Sequence, residues 1–162
     1  MATIKVVEEF NLDAKVTVKN IANWTVGFVR LTDGNGDISI APNGQIRLTR
    51  NEIISQVQSG NKLLAGIDGM GGHATLFIDD APTRVELDFD SEDGKKKQLC
   101  FSEELVNKVF SLKTQSAFEK SFTESFVTRA EKYAVIQAIK KLKINDHNKI
   151  TFAEKYTGYS LE

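Results

Sequence analysis

The chain has 162 residues and a mass of 18.0 kDa, with 21 basic and 22 acidic side chains and a formal charge of −1. This near balance excludes a histone-like polycation and an acidic tail protein. The one cysteine, Cys100, excludes an intramolecular disulfide and a cysteine-based zinc site, and its surroundings predict a half-buried strand thiol rather than a nucleophile. Residues 1–10 lack the basic and apolar regions of a signal peptide, and no apolar run approaches the ~18 residues that span a bilayer. We therefore expect a protein made in a cytoplasm, not secreted by a signal peptide and without a membrane partner.

Turn residues and alternating apolar residues predict β-structure in the first part of the chain. Ten of the 11 glycines and both prolines precede residue 102, and the segments between them alternate with period 2. Thr49 and Glu52 fit a capping box, which predicts one short inserted helix that Gly60 or Asn61 ends. The predicted strands cover residues 15–19, 24–31, 37–40, 45–48, 62–65, 73–78, 84–89 and 97–101.

Helical periodicity and a lack of breakers characterise the rest of the chain. Gly158, the last glycine, is placed to end the final helix. The candidate N-caps of the predicted helices are Ser102, Thr114 or Ser116, Thr128 and Thr151. The sequence thus predicts an α+β protein, with an N-terminal antiparallel β-barrel or sandwich that contains one inserted short helix, followed by a helical C-terminal region. Residues 1–101 form the β-rich part and residues 102–162 the helical part, as two units or packed as one domain.

Three phenylalanines recur at every fourth residue of the predicted long helix. Each aromatic ring buries about 150–250 Å², so this stripe must lie against other apolar groups. The neighbour is the core of the same chain, another subunit or, least favoured, a lipid surface. Trp24 is a further aromatic that a partner could bind. The candidate interface residues are Trp24, Phe118, Phe122 and Phe126.

Opposite charges separate along the sequence. Residues 1–94 carry 8 basic and 14 acidic side chains, whereas residues 95–162 carry 13 basic and 8 acidic ones. The resulting net charges of −6 and +5 favour head-to-tail contact between copies. In the alternative interpretation, the basic C-terminal helices bind nucleic acid through its phosphates, while a solvated helix face would show the same pattern. The candidate basic patch comprises Arg129, Lys132, Lys140, Lys141, Lys143 and Lys149.

Three stretches approach functional motifs, and each departs from its motif. The acidic turn that begins at Asp33 matches the first ligands of a calcium-binding loop, but Ile38 stands where that loop needs glycine. The glycine-rich residues 66–72 lack the lysine and hydroxyl residue of a phosphate-binding loop, which favours a flexible loop between strands. His73 and Asp79, if on one strand, would lie ~20 Å apart. We therefore expect no catalytic residue, cofactor, metal site or small-molecule substrate.

Three stretches carry a resemblance to a known class of proteins. They are RNEIISQVQSGN (residues 50–61), GHATLFIDD (residues 72–80) and KTQSAFEK (residues 113–120). With the order of strands before helices, the chain resembles small virion structural proteins of tailed bacteriophages and of prophages in Gram-positive bacteria. The resemblance implies a structural part of a particle, such as a head-decorating, connector or tail-associated protein. Its implied partners are copies of itself or other virion proteins, and its implied location is the host cytoplasm during synthesis and then the virion.

Overall fold

The computed structural model describes residues 10–161, and over this range the chain is an α+β protein with N-terminal strands and C-terminal helices. Residues 1–9, where the sequence lacks a signal-peptide pattern, and residue 162 lie outside the described residues. The strands are β1 (Lys15–Asn20), β2 (Val26–Val29), β3 (Asp37–Ile40), β4 (Gln45–Thr49) and β5 (Leu76–Asp79). They form an antiparallel sheet of order β4-β1-β5 and a separate β2-β3 hairpin. The described strands therefore form two open sheets rather than a closed barrel.

Capping side chains set the start of most helices. The helices are α1 (Arg50–Gln58), α2 (Lys62–Ala65), α3 (Ala81–Glu86), α4 (Glu103–Phe110), α5 (Gln115–Ser125), α6 (Arg129–Lys141) and α7 (His147–Thr157). Four predicted N-caps are confirmed: Thr49, Ser102, Thr114 and Thr128. The last helix starts earlier than Thr151, because Asp146 caps it, and it ends as predicted at Gly158 in a left-handed conformation. Within residues 10–161, every helix is too short or too polar to cross a bilayer.

Three of the predicted strands are wrong. Residues 62–65 form α2, residues 84–89 contain the end of α3 and a turn, and residues 97–101 lie outside any strand. The side chains of Asn61 and Asp80 accept hydrogen bonds from the backbone of the following turn and so begin helices. Residues 10–101 therefore hold three short helices rather than one, since a run as short as Leu63–Ala65 does not distinguish a strand from a helical turn.

The central strand β1 organises the first hydrophobic core. Val16 pairs with Leu48 of β4, and Val18 pairs with Ile46 of β4 and Ile78 of β5. The alternation of β1 turns Val16 and Val18 to the same buried face, as the sequence predicts. We call this the β core; its buried residues are Val16, Val18, Ala22, Val26, Ile38, Ile40, Leu48, Ile53, Leu64, Leu76, Ile78, Phe89 and Ala130.

The phenylalanine stripe of α5 forms the centre of a second core. The ring of Phe122 lies 4.8 Å from that of Phe126 and 5.5 Å from that of Phe118, and all three side chains are fully buried. Tilted and edge-to-face rings of this kind attract one another beyond their burial. We call this the aromatic core; its buried residues are Val106, Val109, Phe118, Phe122, Phe126, Val135, Ile136, Ala138, Ile139 and Ala153.

An ion pair connects the beginning of α1 to the beginning of α3. Nε of Arg50 lies 3.1 Å from Oδ2 of Asp80, and the same carboxylate accepts hydrogen bonds from the backbone N–H and the hydroxyl of Thr83. Burial alone would raise the pKa of Asp80. The hydrogen bonds from Thr83 and Arg50, together with the charge of Arg50, outweigh burial and hold this pKa below its ordinary value of 3.8.

We expect Asp80→Asn to lower the free energy of unfolding at neutral pH and to flatten its pH dependence in acid. A carboxyl group whose pKa is lowered by folding stabilises the protein above its unfolded pKa. This contribution disappears as the pH falls from 3.8 towards the folded pKa. Urea titrations at neutral pH and at about pH 3 measure both effects. Asp37→Asn, at an exposed aspartate of β3, is the control and should leave the acid dependence of the wild type intact.

We expect Phe122→Ala to lower the free energy of unfolding by about 3–5 kcal/mol, because it removes a buried ring and leaves a cavity among its neighbours. Urea denaturation measures the change. Thr151→Ala, at an exposed position of α7, should change stability by less than about 0.5 kcal/mol. If the two substitutions changed stability by similar amounts, Phe122 would not have the central role in the aromatic core that the structure indicates.

Candidate functional site: two exposed apolar surfaces

A buried hydrogen-bonded pair joins the β-rich part to the helices. Both carboxylate oxygens of Glu131, in the first turn of α6, lie 2.9 Å from Nδ1 of His73. The same carboxylate accepts hydrogen bonds from the backbone N–H groups of Val127 and Thr128, and it completes the predicted capping box. The Glu131 side chain is 1% exposed and that of His73 is 10% exposed. Because a carboxylate is costly to bury without partners, these contacts are what allow Glu131 to occupy the interior.

Hydrogen bonds fix the glycine-rich loop that precedes His73. The Asp68 side chain accepts from the backbone N–H groups of Met70 and Gly72, at 2.8 Å each. Gly66 has a φ of +76°, and a Cβ there would approach the Gly72 carbonyl oxygen to 2.2 Å, so only glycine fits. His73 donates its own N–H to the Leu99 carbonyl at 2.9 Å. The loop is therefore hydrogen-bonded on both sides, and it connects α2 to β5 rather than two strands as the sequence predicts.

Four large apolar side chains are exposed on the segments that meet at His73. Ile67, which is 60% exposed, and Met70 belong to the glycine-rich loop. Leu99 supplies the carbonyl that binds His73, and the backbone of Val127 binds Glu131. We call this set the junction surface: Ile67, Met70, Leu99 and Val127.

A second group of exposed apolar residues surrounds the first turn of α1. The Leu12 carbonyl accepts a hydrogen bond from Asn51, and the Leu31 N–H donates to the Glu52 carboxylate. Glu52 is fully buried and also accepts from the N–H groups of residues 32 and 33, so it fixes the turn that leaves β2. Val29, at the end of β2, is 62% exposed. We call this set the hairpin surface: Leu12, Val29 and Leu31.

The structure does not bring the predicted aromatic interface to the surface. Phe118, Phe122 and Phe126 lie inside the aromatic core of their own chain, so the interface prediction for them is wrong in this fold. Trp24 is half-buried against the β core, and the guanidinium of Arg129 lies 5.1 Å from its ring centroid. The core of the same chain, which the sequence left open as one neighbour of the stripe, is the one the structure shows.

The predicted basic patch divides into structural and exposed members. The Lys149 ammonium is buried and donates to the carbonyls of Phe110 and Leu112 at 2.7 Å each, which leaves it unavailable to phosphate. Lys141 pairs with Glu103 on the surface. The remaining members stay at least partly exposed: Arg129, Lys132, Lys140 and Lys143.

The ammonium group of Lys132, on α6, contacts the aromatic ring of Tyr156, on α7. The ammonium lies 4.7 Å from the ring centroid of Tyr156, which is half-buried against the aromatic core. A cation over a ring face is attracted by the ring quadrupole. Lys132 is half-buried in this arrangement.

The acidic turn and the single cysteine have structural environments. Asp33 accepts hydrogen bonds from the backbone and the hydroxyl of Thr49, which ties the hairpin turn to α1. Burial raises the pKa of Cys100 to about 12, so its thiol stays protonated at neutral pH. Cys100 lies beside a cavity of about 200 Å³ in which Arg84 is already paired with Asp90 at 3.0 Å. Among residues 10–161, no three histidine, cysteine or carboxylate side chains converge as a metal site would require.

The contact between His73 and Glu131 is the feature that sequence reasoning missed. The sequence assigned Glu131 to a capping box and His73 to a strand, but His73 has a φ of +57° and precedes the strand. Fifty-eight residues separate the two side chains, and no periodic pattern links positions that far apart. Asp79, which was considered with His73, instead pairs with Lys19 at 3.2 Å across the sheet.

We expect Glu131→Ala to lower the free energy of unfolding by about 3 kcal/mol, because it leaves His73 and the partly buried N–H groups of Val127 and Thr128 without their acceptor. Glu131→Gln should cost less, since an amide can still accept from the backbone and donate to a neutral imidazole. Urea titrations compare the two, and a double-mutant cycle with His73→Ala isolates the direct coupling. Equal losses for the two substitutions would contradict a hydrogen-bonding role for Glu131.

Comparisons with known proteins give no relative for this chain. It matches no known protein family, no curated protein and no solved structure.

Proposed function

We propose that this protein is a non-enzymatic structural protein that assembles with copies of itself through the junction surface. The observation that carries the proposal is the exposure of Ile67, Met70, Leu99 and Val127 around a buried, hydrogen-bonded anchor. Exposed large apolar residues that gather on a protein are typical of contact sites, whereas isolated ones are ordinary. The backbone beneath these residues is already fixed by Asp68, His73 and Glu131, so binding has little ordering entropy to overcome.

The proposal extends to a particle. The resemblance of residues 50–61, 72–80 and 113–120 to small virion proteins supports a role as a head-decorating, connector or tail-associated component. Such a component works by repeated contacts with copies of itself or with other virion proteins. An apolar surface whose backbone is hydrogen-bonded in place suits contacts of this kind. Residues 66–72, which contribute two of the four apolar side chains, adjoin one of these stretches.

The second candidate function is nucleic-acid binding by the exposed cations of α6. The observation that favours it is the position of Arg129, which is exposed, over Trp24 and of Lys132, which is half-buried, over Tyr156. Lys140 and Lys143, at the end of α6, extend the exposed positive charge. Binding to phosphates through charge alone does not require a precisely shaped site. These residues therefore suffice for weak, salt-sensitive binding.

We expect the wild-type chain to form a multimer in light scattering and Leu99→Asp to shift it towards the 18.0 kDa monomer. The aspartate would be desolvated in the contact without a partner, which opposes association. Thr151→Asp is the matched control, because it adds the same charge at an exposed position on α7 and should leave the multimer intact. A wild-type chain that remains monomeric up to its solubility limit would contradict self-assembly.

Nucleic-acid binding is tested separately by titrating labelled DNA or RNA at increasing salt. If the second candidate is correct, the observed affinity falls steeply with salt and is lost when Lys140 and Lys143 are both replaced by glutamate. Lys149→Met, which removes a buried charge, is the control for an effect on the fold rather than on phosphate contact. Binding unaffected by the double replacement would contradict this alternative.

A further inference from the structure

The exposed apolar side chains of residues 10–161 divide into two separate surfaces. Among the described residues, every large hydrophobic side chain that is at least 40% exposed belongs either to the hairpin surface or to the junction surface. The hairpin surface lies around the first turn of α1, and the junction surface lies where the glycine-rich loop meets α6. Two different apolar surfaces on one chain are what a head-to-tail contact requires.

Exposed acidic side chains border the hairpin surface. Asp13 follows Leu12 directly, and Asp37 pairs across the hairpin with Val29. Neither carboxylate has an ion-pair partner among the described residues, and both are exposed. Arg30, which is half-buried, is an opposing charge at this surface, whereas Arg50, which donates to the Asn11 carbonyl, is already paired with Asp80. The border of the hairpin surface is therefore acidic on balance.

Exposed basic side chains border the junction surface. Lys97 lies two residues before Leu99, and Arg129 lies two residues after Val127. Asp68, within the glycine-rich loop, is the opposing charge, and its carboxylate already accepts two backbone hydrogen bonds. On the exposed turn before Lys97, the charges of Lys95 and Lys96 are balanced by those of Glu92 and Asp93, so the excess comes from Lys97 and Arg129. The border of the junction surface is therefore basic on balance.

We infer that the hairpin surface of one copy binds the junction surface of a second copy, in a head-to-tail contact that repeats along an assembly. The inference rests on the proposed function, because it specifies how the copies associate. Unlike borders attract and orient the approaching chains, while the apolar residues supply the buried area. A symmetric contact of either surface with its own copy would bring like charges together, which disfavours it. The repeated contact closes into a ring or extends as a filament, as its rotation dictates.

Two blocked variants test the head-to-tail contact. Leu31→Asp blocks the hairpin surface and leaves the junction surface intact, whereas Ile67→Asp does the reverse. Each variant alone should be an 18.0 kDa monomer by light scattering. An equimolar mixture should form a 1:1 dimer of about 36 kDa and nothing larger, since only one compatible pair of surfaces remains. Raising the salt concentration should weaken this dimer.

Other results overturn the inference and leave the proposed function distinguishable. If Ile67→Asp alone is monomeric while Leu31→Asp still assembles, the junction surface binds its own copy, and the proposed function stands without the head-to-tail contact. If neither variant affects the wild-type multimer, neither surface forms the contact, and both proposals fail. If both variants are monomeric and their mixture stays monomeric, the contact is not between these two surfaces.

The fold of each variant is checked by far-ultraviolet circular dichroism and by the urea midpoint. Leu31→Ser and Ile67→Ser repeat the experiment without a buried charge, should either aspartate variant fail to fold. Each serine variant alone should associate less than the wild type, and the mixture of the two should associate more than either variant alone. Thr151→Asp adds the same charge at a residue that belongs to neither surface. Mixing it with either blocked variant therefore controls for the effect of the added charge itself.

Discussion

The buried carboxylate of Glu131 is the constraint on which the arrangement of the two cores depends. It holds the turn before α6 through backbone N–H groups and the imidazole of His73 at the same time. The position of α6 in turn places Ala130 in the β core and Val135 in the aromatic core. One charged group thus fixes the start of a helix that contributes to both hydrophobic interiors, and its partners offset the cost of its burial.

Glu52, beside the hairpin surface, has the same kind of environment as Glu131 has beside the junction surface. Like Glu131, it lies three residues after a threonine N-cap, is fully buried, and accepts hydrogen bonds from the backbone of an adjoining turn. Only Glu131 also completes its capping box, because the carboxylate of Glu52 is directed to residues 31–33 instead. Each proposed contact surface therefore lies beside a buried glutamate that fixes its backbone, which reduces the entropy lost on association.

Local signals in the sequence predicted much of the fold, and long-range ones did not. Thr114 and Thr128 mark the limits of α5 and α6 correctly, because a cap acts on residues one turn away. The strand predicted at residues 62–65 is wrong, since three consecutive apolar residues are compatible with either element and the Asn61 side chain caps a helix there. Neither proposed surface was found, because its residues come together only through contacts such as that between His73 and Glu131.

The distribution of the two cores along the chain has a consequence for the order of folding. The buried residues of the aromatic core all lie between Val106 and Ala153, so helices α4–α7 can collapse from one continuous stretch with short loops. The β core needs Ala130 in addition to residues 16–89. It is therefore complete only when Ala130, which lies far along the chain from the others, has packed against them. Since contacts between distant residues carry a larger loop-closure entropy, the helical region has the faster route to its native packing. During synthesis the strands would therefore emerge before the helices, and yet the β core would be the last part to reach its native packing.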